Sequence, residues 1–469
     1  MNGKTGYTEN GIIDYGILHT VSFKFDRDFK KFKENIEGIF STIDISGESD
    51  SEKYYIEHRY RINKNLCYYE DGIGESKEKD LLRNIFLYRN KALSDKISEK
   101  TILISGPSIS FNTTNFGEFP SRFAEWEKGT FNASTFFLVS ESIFTIVALI
   151  KPDKCFTIYN LFADEGYSGA SEIICRLQKP QDLEVKINTI NTKWKKHMAG
   201  TTGSLLEETK TYFLSEIFAR LYGFSIILLW NKSNLNEKSI QEQLDEYSEN
   251  RNRTLDIFDT TLFTTVVLFC SPSIFKNPTF IEKIPNLLYG YDKVNASHLC
   301  NKKNFISKND LSKDCNSMFF MTYNRFLMVF QKNMGEYRGD EKFDRWVPVG
   351  FVLNEIISGV FYALHYFSEE STELIEGFPF KSFKKSNLFL KKITEYFNSF
   401  FDPNIIQSQL IRFLLDESFK INKFYSLLKM IKANFTTAET VKLHRNVFWF
   451  TVVIAFLTGI LIILTITRL

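Results

Sequence analysis

Near the start of the chain, apolar and polar residues alternate over residues 17–25, with Ile17, Val21 and Phe25 among the residues on one face. Because successive strand residues point to opposite faces, this alternation predicts a half-buried β-strand. Apolar residues then recur every three to four positions, which predicts a helix that begins at Asp26. The rest of the first hundred residues predicts a strand pair followed by a second helix, at 54–62, 66–69 and 81–93.

The central part of the chain is rich in short apolar runs bounded by glycine, proline and polar turns. Their lengths and their content of β-branched and aromatic residues predict strands, and the spacing of those within 136–161 predicts an antiparallel meander. An amphipathic pattern over 205–221 predicts a helix. The predicted strands lie at 101–105, 136–139, 144–150, 156–161, 224–230 and 261–269.

From about Pro348 onward the pattern is helical, with helices predicted over 352–367, 383–397 and 405–432. In the last of these, apolar residues alternate at spacings of three and four, interrupted once by Glu417. Such a pattern forms the seam of a coiled coil. It packs equally well against helices of the same chain, and the sequence leaves both arrangements open. The residues of this stalk seam are Leu414, Ile421, Phe424, Leu428, Ile431 and Phe435.

A run of twenty residues, 447–466, holds sixteen apolar residues and no charge. As a helix it would rise about 30 Å, which is the thickness of a bilayer hydrocarbon core, and it therefore predicts a transmembrane helix. Lys442, His444 and Arg445 precede the run, and positive residues favour the cytosolic side of a membrane. We therefore expect a tail-anchored, single-pass membrane protein with its N-terminal bulk in the cytosol.

A second apolar stretch, 347–367, contains Asn354, Glu355 and His365. A carboxylate at the centre of a bilayer costs about 2.5 kcal/mol or more, so the stretch predicts a helix buried in the soluble part of the protein. A second membrane span is the alternative. On such a helix, Glu355 and His365 are candidates for a buried polar pair with a structural role.

Together these elements predict an α+β cytosolic region followed by an all-helical stalk and one C-terminal transmembrane helix. The predicted division has four parts. They are an α+β N-terminal subdomain at 1–100, a β-rich α/β central domain at 101–345, a helical stalk domain at 346–445 and the transmembrane helix at 446–467.

Composition narrows the classes of function. The 469 residues carry 58 Lys and Arg against 56 Asp and Glu, a net charge of +2, so no nucleic acid partner is indicated. The six cysteines are scattered, which favours buried free thiols over a disulfide framework. His298, Cys300 and Cys315 come nearest to a metal cluster, but no fourth ligand completes it. No metal is expected, and any cofactor is unknown.

Small and hydroxyl residues within the predicted span recur at spacings of four and seven, and so share one side of the helix. Small residues let membrane helices approach closely, and threonines can bond across the interface. The pattern predicts self-association and, around a shared axis, a narrow pore. The alternative is that each hydroxyl bonds to its own helix. The predicted association or pore face consists of Thr451, Ala455, Thr458, Gly459 and Thr465.

A glycine-bearing loop, preceded by several lysines, leads into the predicted helix at 205–221. Amide groups at a helix N-terminus, together with nearby cations, can hold a phosphate, although the Gly-Lys-Ser/Thr of a P-loop is missing. Ser204 and Glu207 also fit a plain capping box, which is the favoured alternative. The candidate anion- or ligand-binding residues are Lys193, Lys195, Lys196, Gly200, Thr201, Thr202, Gly203 and Ser204.

The order of the predicted parts is similar to that of the CorA family of divalent-cation channels. Those proteins place a cytosolic α/β domain first, then long stalk helices that lead into C-terminal membrane segments. The resemblance is one of architecture only. That family has two spans joined by a Gly-Met-Asn loop, whereas here one span is predicted and Asn333-Met334-Gly335 is reversed.

The sequence therefore predicts a membrane-anchored, self-assembling protein whose cytosolic domain senses a ligand or partner, acting as an ion-conducting or membrane-perturbing oligomer. Two alternatives stay open: a tail-anchored adaptor or scaffold, and a membrane-tethered enzyme with an unrecognised site. Because no catalytic motif occurs in the sequence, an enzyme is the less favoured class. The expected partners are the lipid bilayer and further copies of the chain, and the cytosolic ligand or protein partner is unknown.

Overall fold

The structure is a computed structural model. It describes a central sheet, helices that pack on the sheet and a long C-terminal helix. The described residues are 12–25, 28–37, 41–42, 67–69, 77–93, 101–106, 108–113, 130–141, 143–152, 183–188, 263–278, 280–281, 284, 288, 309–312, 315–322, 325–332, 346–362, 364, 406, 408–421 and 423–466.

The described strands form one mixed sheet of eleven strands. They are β1 (Ile12–Lys24), β2 (Ser41–Thr42), β3 (Cys67–Tyr69), β4 (Thr101–Ser105), β5 (Ser108–Thr113), β6 (Thr130–Ser140), β7 (Ile143–Pro152), β8 (Leu183–Asn188), β9 (Phe263–Cys270), β10 (Ser317–Met321) and β11 (Arg325–Gln331). Seven strands form the central run, in the order β10-β11-β9-β1-β7-β6-β4, which β3 and β2 continue, while β5 pairs with β6 and β8. The pairs β9–β11 and β3–β4 are parallel, and the other described pairs are antiparallel.

The described helices are α1 (Phe29–Glu37), α2 (Lys77–Ala92), α3 (Pro272–Phe275), α4 (346–362), α5 (Gln409–Ile421) and α6 (Phe424–Ile466). Helix α1 begins after Asp28, whose Oδ1 accepts hydrogen bonds from the amides of Lys30 and Lys31 at 2.9 and 3.2 Å. Asp28 therefore caps the helix, two residues later than the Asp26 that the sequence predicts.

The chain divides into two units, residues 1–360 with 400–421 and residues 361–399 with 422–469. The first unit holds the sheet and the second holds α6. Within the second unit, the Phe361 ring meets the Phe424 ring edge to face, with centroids 4.6 Å apart. The four-part division drawn from the sequence stays a prediction.

Strand β1 is the centre of the sheet and is buried on both faces. It pairs antiparallel with β7 on one side and with β9 on the other. Ile17, Leu18 and Val21 are each at most 1% exposed, although Leu18 points to the opposite face from the other two. The alternation in the sequence predicted a half-buried strand. Both faces are buried instead, because helices cover the sheet from both sides.

Helix α4 covers one face of the sheet and runs alongside β1. Three α4 residues spaced four apart lie against three β1 residues spaced two apart. Four helical residues rise about 6.0 Å and two strand residues about 6.6 Å, so the two axes are nearly aligned. The contacts are Gly350 with Leu18, Asn354 with Thr20, and Ser358 with Ser22.

The opposite face of the sheet is covered by α1 and by helical residues that follow α3. Phe25, just after β1, meets Phe32 of α1 edge to face, with ring centroids 5.2 Å apart. Further along the face, Arg325 of β11 donates a hydrogen bond from Nη1 to the carbonyl of Leu288 at 3.4 Å. The sheet is therefore the middle layer of a three-layer core.

The C-terminal helix α6 is 43 residues long and contains the run predicted to cross a membrane. In the part of the chain that the structure describes, no helix has both the length and the apolar character needed to cross a membrane. This finding overturns the predicted transmembrane helix at 446–467, the tail-anchored, single-pass arrangement and the membrane localisation.

The predicted fold class is also wrong. The described part is a mixed sheet with helices on both faces. Regions that were predicted to be separate belong to this one core: a strand from the start of the chain lies at the centre of the sheet, and α4, which was expected to open the stalk, is buried on the sheet. The helix predicted over 405–432 is interrupted as well. Helix α5 ends at Ile421, and Lys423, with a φ of 54°, precedes the start of α6 at Phe424. A lysine rarely adopts this left-handed conformation, which marks a true helix boundary.

The close approach of α4 to the sheet predicts the effect of Gly350→Ala. A Cβ at Gly350 would lie 2.8 Å from Leu18 Cδ1 and 3.0 Å from Thr265 Cγ2, both within the core. Although alanine favours a helix over glycine by about 1 kcal/mol, we expect a net loss of about 1–2 kcal/mol in the free energy of unfolding. Urea unfolding followed by circular dichroism measures it.

The matched control is Gly459→Ala in α6, where a Cβ would meet nothing within 4 Å. This substitution should leave the unfolding free energy unchanged or raise it slightly, because only the helix propensity changes. Equal effects of the two substitutions would contradict close packing at Gly350.

Candidate functional site

The apolar segment of α6, residues 447–462, presents large apolar side chains to solvent along its length. Phe450 and Phe456 are each 69% exposed. Because the exposed residues are nearly consecutive, they surround the helix instead of forming one stripe. An exposed apolar surface of this extent marks an interaction site. The exposed large residues of the segment are Val447, Phe448, Trp449, Phe450, Val452, Val453, Ile454, Phe456, Leu457, Ile460 and Ile462.

The threonines of the predicted association face bond to their own helix. Thr451 and Thr458 donate from Oγ1 to the carbonyls of Val447 and Ile454, each at 2.8 Å. This is the alternative that the sequence left open for them, and it keeps their hydroxyls satisfied without a partner chain. Ala455 is exposed, and the surroundings of Gly459 are open. The side chain of Thr465 lies outside the described ones, and the association face itself stays a prediction.

The stalk seam is divided between two helices and is only partly buried. Leu414 lies in α5, and the helix boundary at Lys423 separates it from the seam residues of α6. A seam on one continuous helix is therefore not what the structure describes. Of the seam residues, Leu414, Phe424 and Ile431 are buried. Ile421 is 39% exposed and Leu428 is partly exposed. The side chain of Phe435 lies outside the described ones.

The candidate anion-binding loop, 193–204, lies outside the described residues, as do His298, Cys300 and His365. Cys315 of the weak metal cluster is exposed. Among the residues that the structure describes, no group of His, Cys, Asp and Glu side chains is placed to hold a metal ion.

An ion pair inside the core joins α2 to α4. Arg89 is 1% exposed, and its Nε and Nη2 donate to the two carboxylate oxygens of Glu355 at 2.8 and 2.7 Å. Two parallel bonds of this kind are among the strongest charge-assisted contacts in proteins. The sequence predicted a buried polar role for Glu355 but missed Arg89. The signal for Arg89 was a cation within the apolar pattern of the helix predicted at 81–93.

A row of polar side chains crosses the other face of the sheet on directly paired positions. His19 of β1, Thr264 of β9 and Arg325 of β11 occupy this row, and all three are at most 3% exposed. His19 Nδ1 lies 2.9 Å from Thr264 Oγ1. The second ring nitrogen, Nε2, has no hydrogen-bond partner among the described residues.

The row does not hold a group poised for proton transfer near neutral pH. Burial, and after it the charge of Arg325, lowers the pKa of His19 to about 3. The imidazole is therefore neutral and a poor base. At the far end of β9, burial raises the pKa of the Cys270 thiol to about 12, which keeps the thiol protonated. The row is chemically suited to hydrogen bonding inside the core.

Comparison with known proteins gives no relative: no family model, curated protein or solved structure matches the chain.

The ion pair predicts a non-additive pair of substitutions. Arg89→Met leaves the Glu355 carboxylate nearly buried without its cation, and we expect a loss of about 3–5 kcal/mol in the free energy of unfolding. Adding Glu355→Leu removes the stranded charge and should restore most of the loss. Urea unfolding of the two single variants and the double variant measures the coupling. A double variant as unstable as Arg89→Met would contradict the burial of this pair.

His19 predicts a loss of stability in acid. An unfolded histidine takes up a proton below about pH 6.5, whereas the folded His19 stays neutral until about pH 3. The free energy of unfolding therefore decreases as the pH is lowered from about 6.5 to about 3, by about 1.4 kcal/mol per pH unit. Between pH 7 and pH 5 the His19→Gln variant should lose about 2 kcal/mol less than the natural chain.

Urea unfolding at pH 5, 7 and 8 makes this measurement. Between pH 7 and pH 8 the natural chain and the His19→Gln variant should change alike, because His19 is neutral in both states. An equal loss in both proteins between pH 7 and pH 5 would show that His19 does not stay neutral in the folded state.

Proposed function

We propose that this chain is a self-associating protein that acts through assembly, and that the apolar segment of α6 packs against the same segment of further copies. The observation that carries the proposal is the exposure of eleven large apolar side chains on this segment. A surface of this kind is unfavourable in water until another apolar surface covers it.

The area of the segment is sufficient for a stable interface. A fully buried aromatic side chain removes about 150–250 Å² from water. The eleven residues, exposed by 38–69%, therefore present on the order of 1,000 Å². A standard interface buries about 800 Å² on each partner. Because these residues surround the helix, burial of this whole area requires partner surfaces on more than one side, as an assembly of several copies provides.

A second copy matches the segment in chemistry and in length. The segment carries no charge and its two described threonines bond to their own backbone, so it offers few polar groups for a polar partner to recognise. In the described part of the chain, the only exposed helical surface with this apolar character is the segment itself. Identical surfaces meet in an isologous contact, the commonest arrangement in homo-oligomers.

Charging the segment should dissociate the assembly. Phe450→Lys combined with Phe456→Lys places two cations where an apolar partner would lie, and we expect the association constant to fall at least 100-fold. Both positions are exposed in the single chain, so the fold should survive. Sedimentation velocity across micromolar concentrations measures the mass, and circular dichroism checks the fold.

The matched control is Met430→Lys, at a 45% exposed position of the same helix outside the segment. It should assemble like the natural chain. The proposal fails if the natural chain is monomeric across this range of concentrations. A vesicle flotation assay then distinguishes two cases: the monomer stays free, or it floats with phosphatidylcholine vesicles. In that second case lipid, and not another copy, covers the segment.

A further inference from the structure

Burial of apolar residues alone does not select one alignment of the central strand β1 with its neighbours β7 and β9. In a strand with one wet face, slippage by one residue moves the apolar set into water, and this specifies the register. β1 is buried on both faces from Ile17 to Phe23. A slip by two residues keeps every side chain on its own face, and both faces stay buried. Apolar burial therefore distinguishes these registers poorly.

Polar pairs on β1 do distinguish them. His19 lies directly opposite Thr264 of β9, and the two side chains are 2.9 Å apart. Ser22 lies directly opposite Thr145 of β7, with the hydroxyl oxygens 2.7 Å apart. All four side chains are at most 3% exposed. Each neighbour of β1 in the sheet is thus aligned by one buried polar pair, one on each face.

A two-residue slip would break both pairs. His19 would then lie opposite Val266, and Ser22 would lie opposite Val147, each an apolar residue two positions away in the natural register. The imidazole and the hydroxyls would remain buried, but without their partners. An unpaired buried polar group is far more unfavourable than the net gain of a hydrogen bond that is made.

Asn354 aligns the covering helix in the same way. Its Nδ2 donates to Thr20 Oγ1 at 3.0 Å and to the carbonyl of Leu18 at 3.2 Å, and its Oδ1 accepts a hydrogen bond from Thr265. It is 0% exposed. Because one helical turn nearly matches two strand residues, a one-turn slip of α4 would keep the helix along β1 but leave Asn354 without these three bonds.

We infer that these polar side chains form a register lock, composed of His19–Thr264, Ser22–Thr145 and Asn354 with Thr20 and Thr265, which selects a single alignment of β1 with β7, β9 and α4. The role of the lock is conformational specificity. Apolar burial holds the layers together, and the polar contacts exclude the slipped arrangements. A single buried asparagine selects one register of a coiled coil by the same physical reasoning.

The test removes polar partners together, so that none is left unpaired. One variant of the full chain combines Ser22→Ala, Thr145→Val and Ser358→Ala, because Ser358 also bonds to Ser22 at 2.9 Å. A second variant adds Asn354→Leu, Thr20→Val and Thr265→Val. The matched control trims the apolar residues Ile17, Ile146 and Ile356 to valine on β1, β7 and α4.

Methyl-TROSY spectra and urea unfolding provide the readouts. In the natural chain Ile17 lies opposite Ile150, so their methyl groups should give one resonance each and a cross-strand NOE. In the sixfold variant we expect split or broadened resonances, weakening of this NOE and a smaller dependence of unfolding on urea. Its folding equilibrium constant should stay within about tenfold of the natural value. The control should lose stability but keep single resonances.

Two results would overturn the inference. One is a sixfold variant with single resonances and the natural Ile17–Ile150 NOE, since β1 would then keep one alignment with β7 without the Ser22–Thr145 pair and the Asn354 contacts. The other is a threefold variant that fails to fold, since the Ser22–Thr145 pair would then supply stability. Splitting confined to residues near Ser22 in the threefold variant supports the inference even where the sixfold variant does not fold.

Discussion

The contact of α4 with β1 is the constraint on which the rest of the described core depends. The helix lies close to the sheet because Gly350 has no Cβ, and it lies nearly parallel to the strand because one helical turn and two strand residues have similar lengths. This contact buries the second face of β1, so both faces of the strand lie away from water. A polar group on β1 can then find a hydrogen-bond partner only within the protein.

The buried ionisable groups of the core avoid an unpaired charge in two different ways. Arg89 and Glu355 are both charged, and they compensate each other through two bonds between α2 and α4. His19 avoids charge altogether, since burial and the neighbouring Arg325 hold its pKa near 3. Both arrangements follow from the low dielectric of the core, where an unpaired charge is much more costly than in water. Stability in acid is lost where a neutral group must accept a proton.

Local pattern predicted individual elements better than their assembly. Thr101–Ser105 was predicted to the residue, and the antiparallel pairing of β6 with β7 follows from two apolar runs separated by a short turn. The central position of β1 was not predictable, because its neighbours β7 and β9 lie more than a hundred residues away in the chain. In the sequence, the hydroxyl residues of β1 look the same whether that side of the strand faces water or is buried. Only their bonds to α4 distinguish a buried side from an exposed one. Arg89 was missed because its partner is 266 residues distant.

Helices α4 and α6 show why an apolar run alone does not determine the surroundings of a helix. Both carry small or polar residues four apart: Gly350, Asn354 and Ser358 in α4, and Thr451, Ala455 and Gly459 in α6. In α4 these residues meet the sheet and bond to it. In α6 the threonine bonds to its own backbone and the glycine faces open space. Asparagine reaches beyond its own helix for partners, whereas threonine is satisfied by the preceding turn. The polar residues of α4 therefore fix it against the sheet of its own chain, whereas α6 keeps an exposed apolar surface.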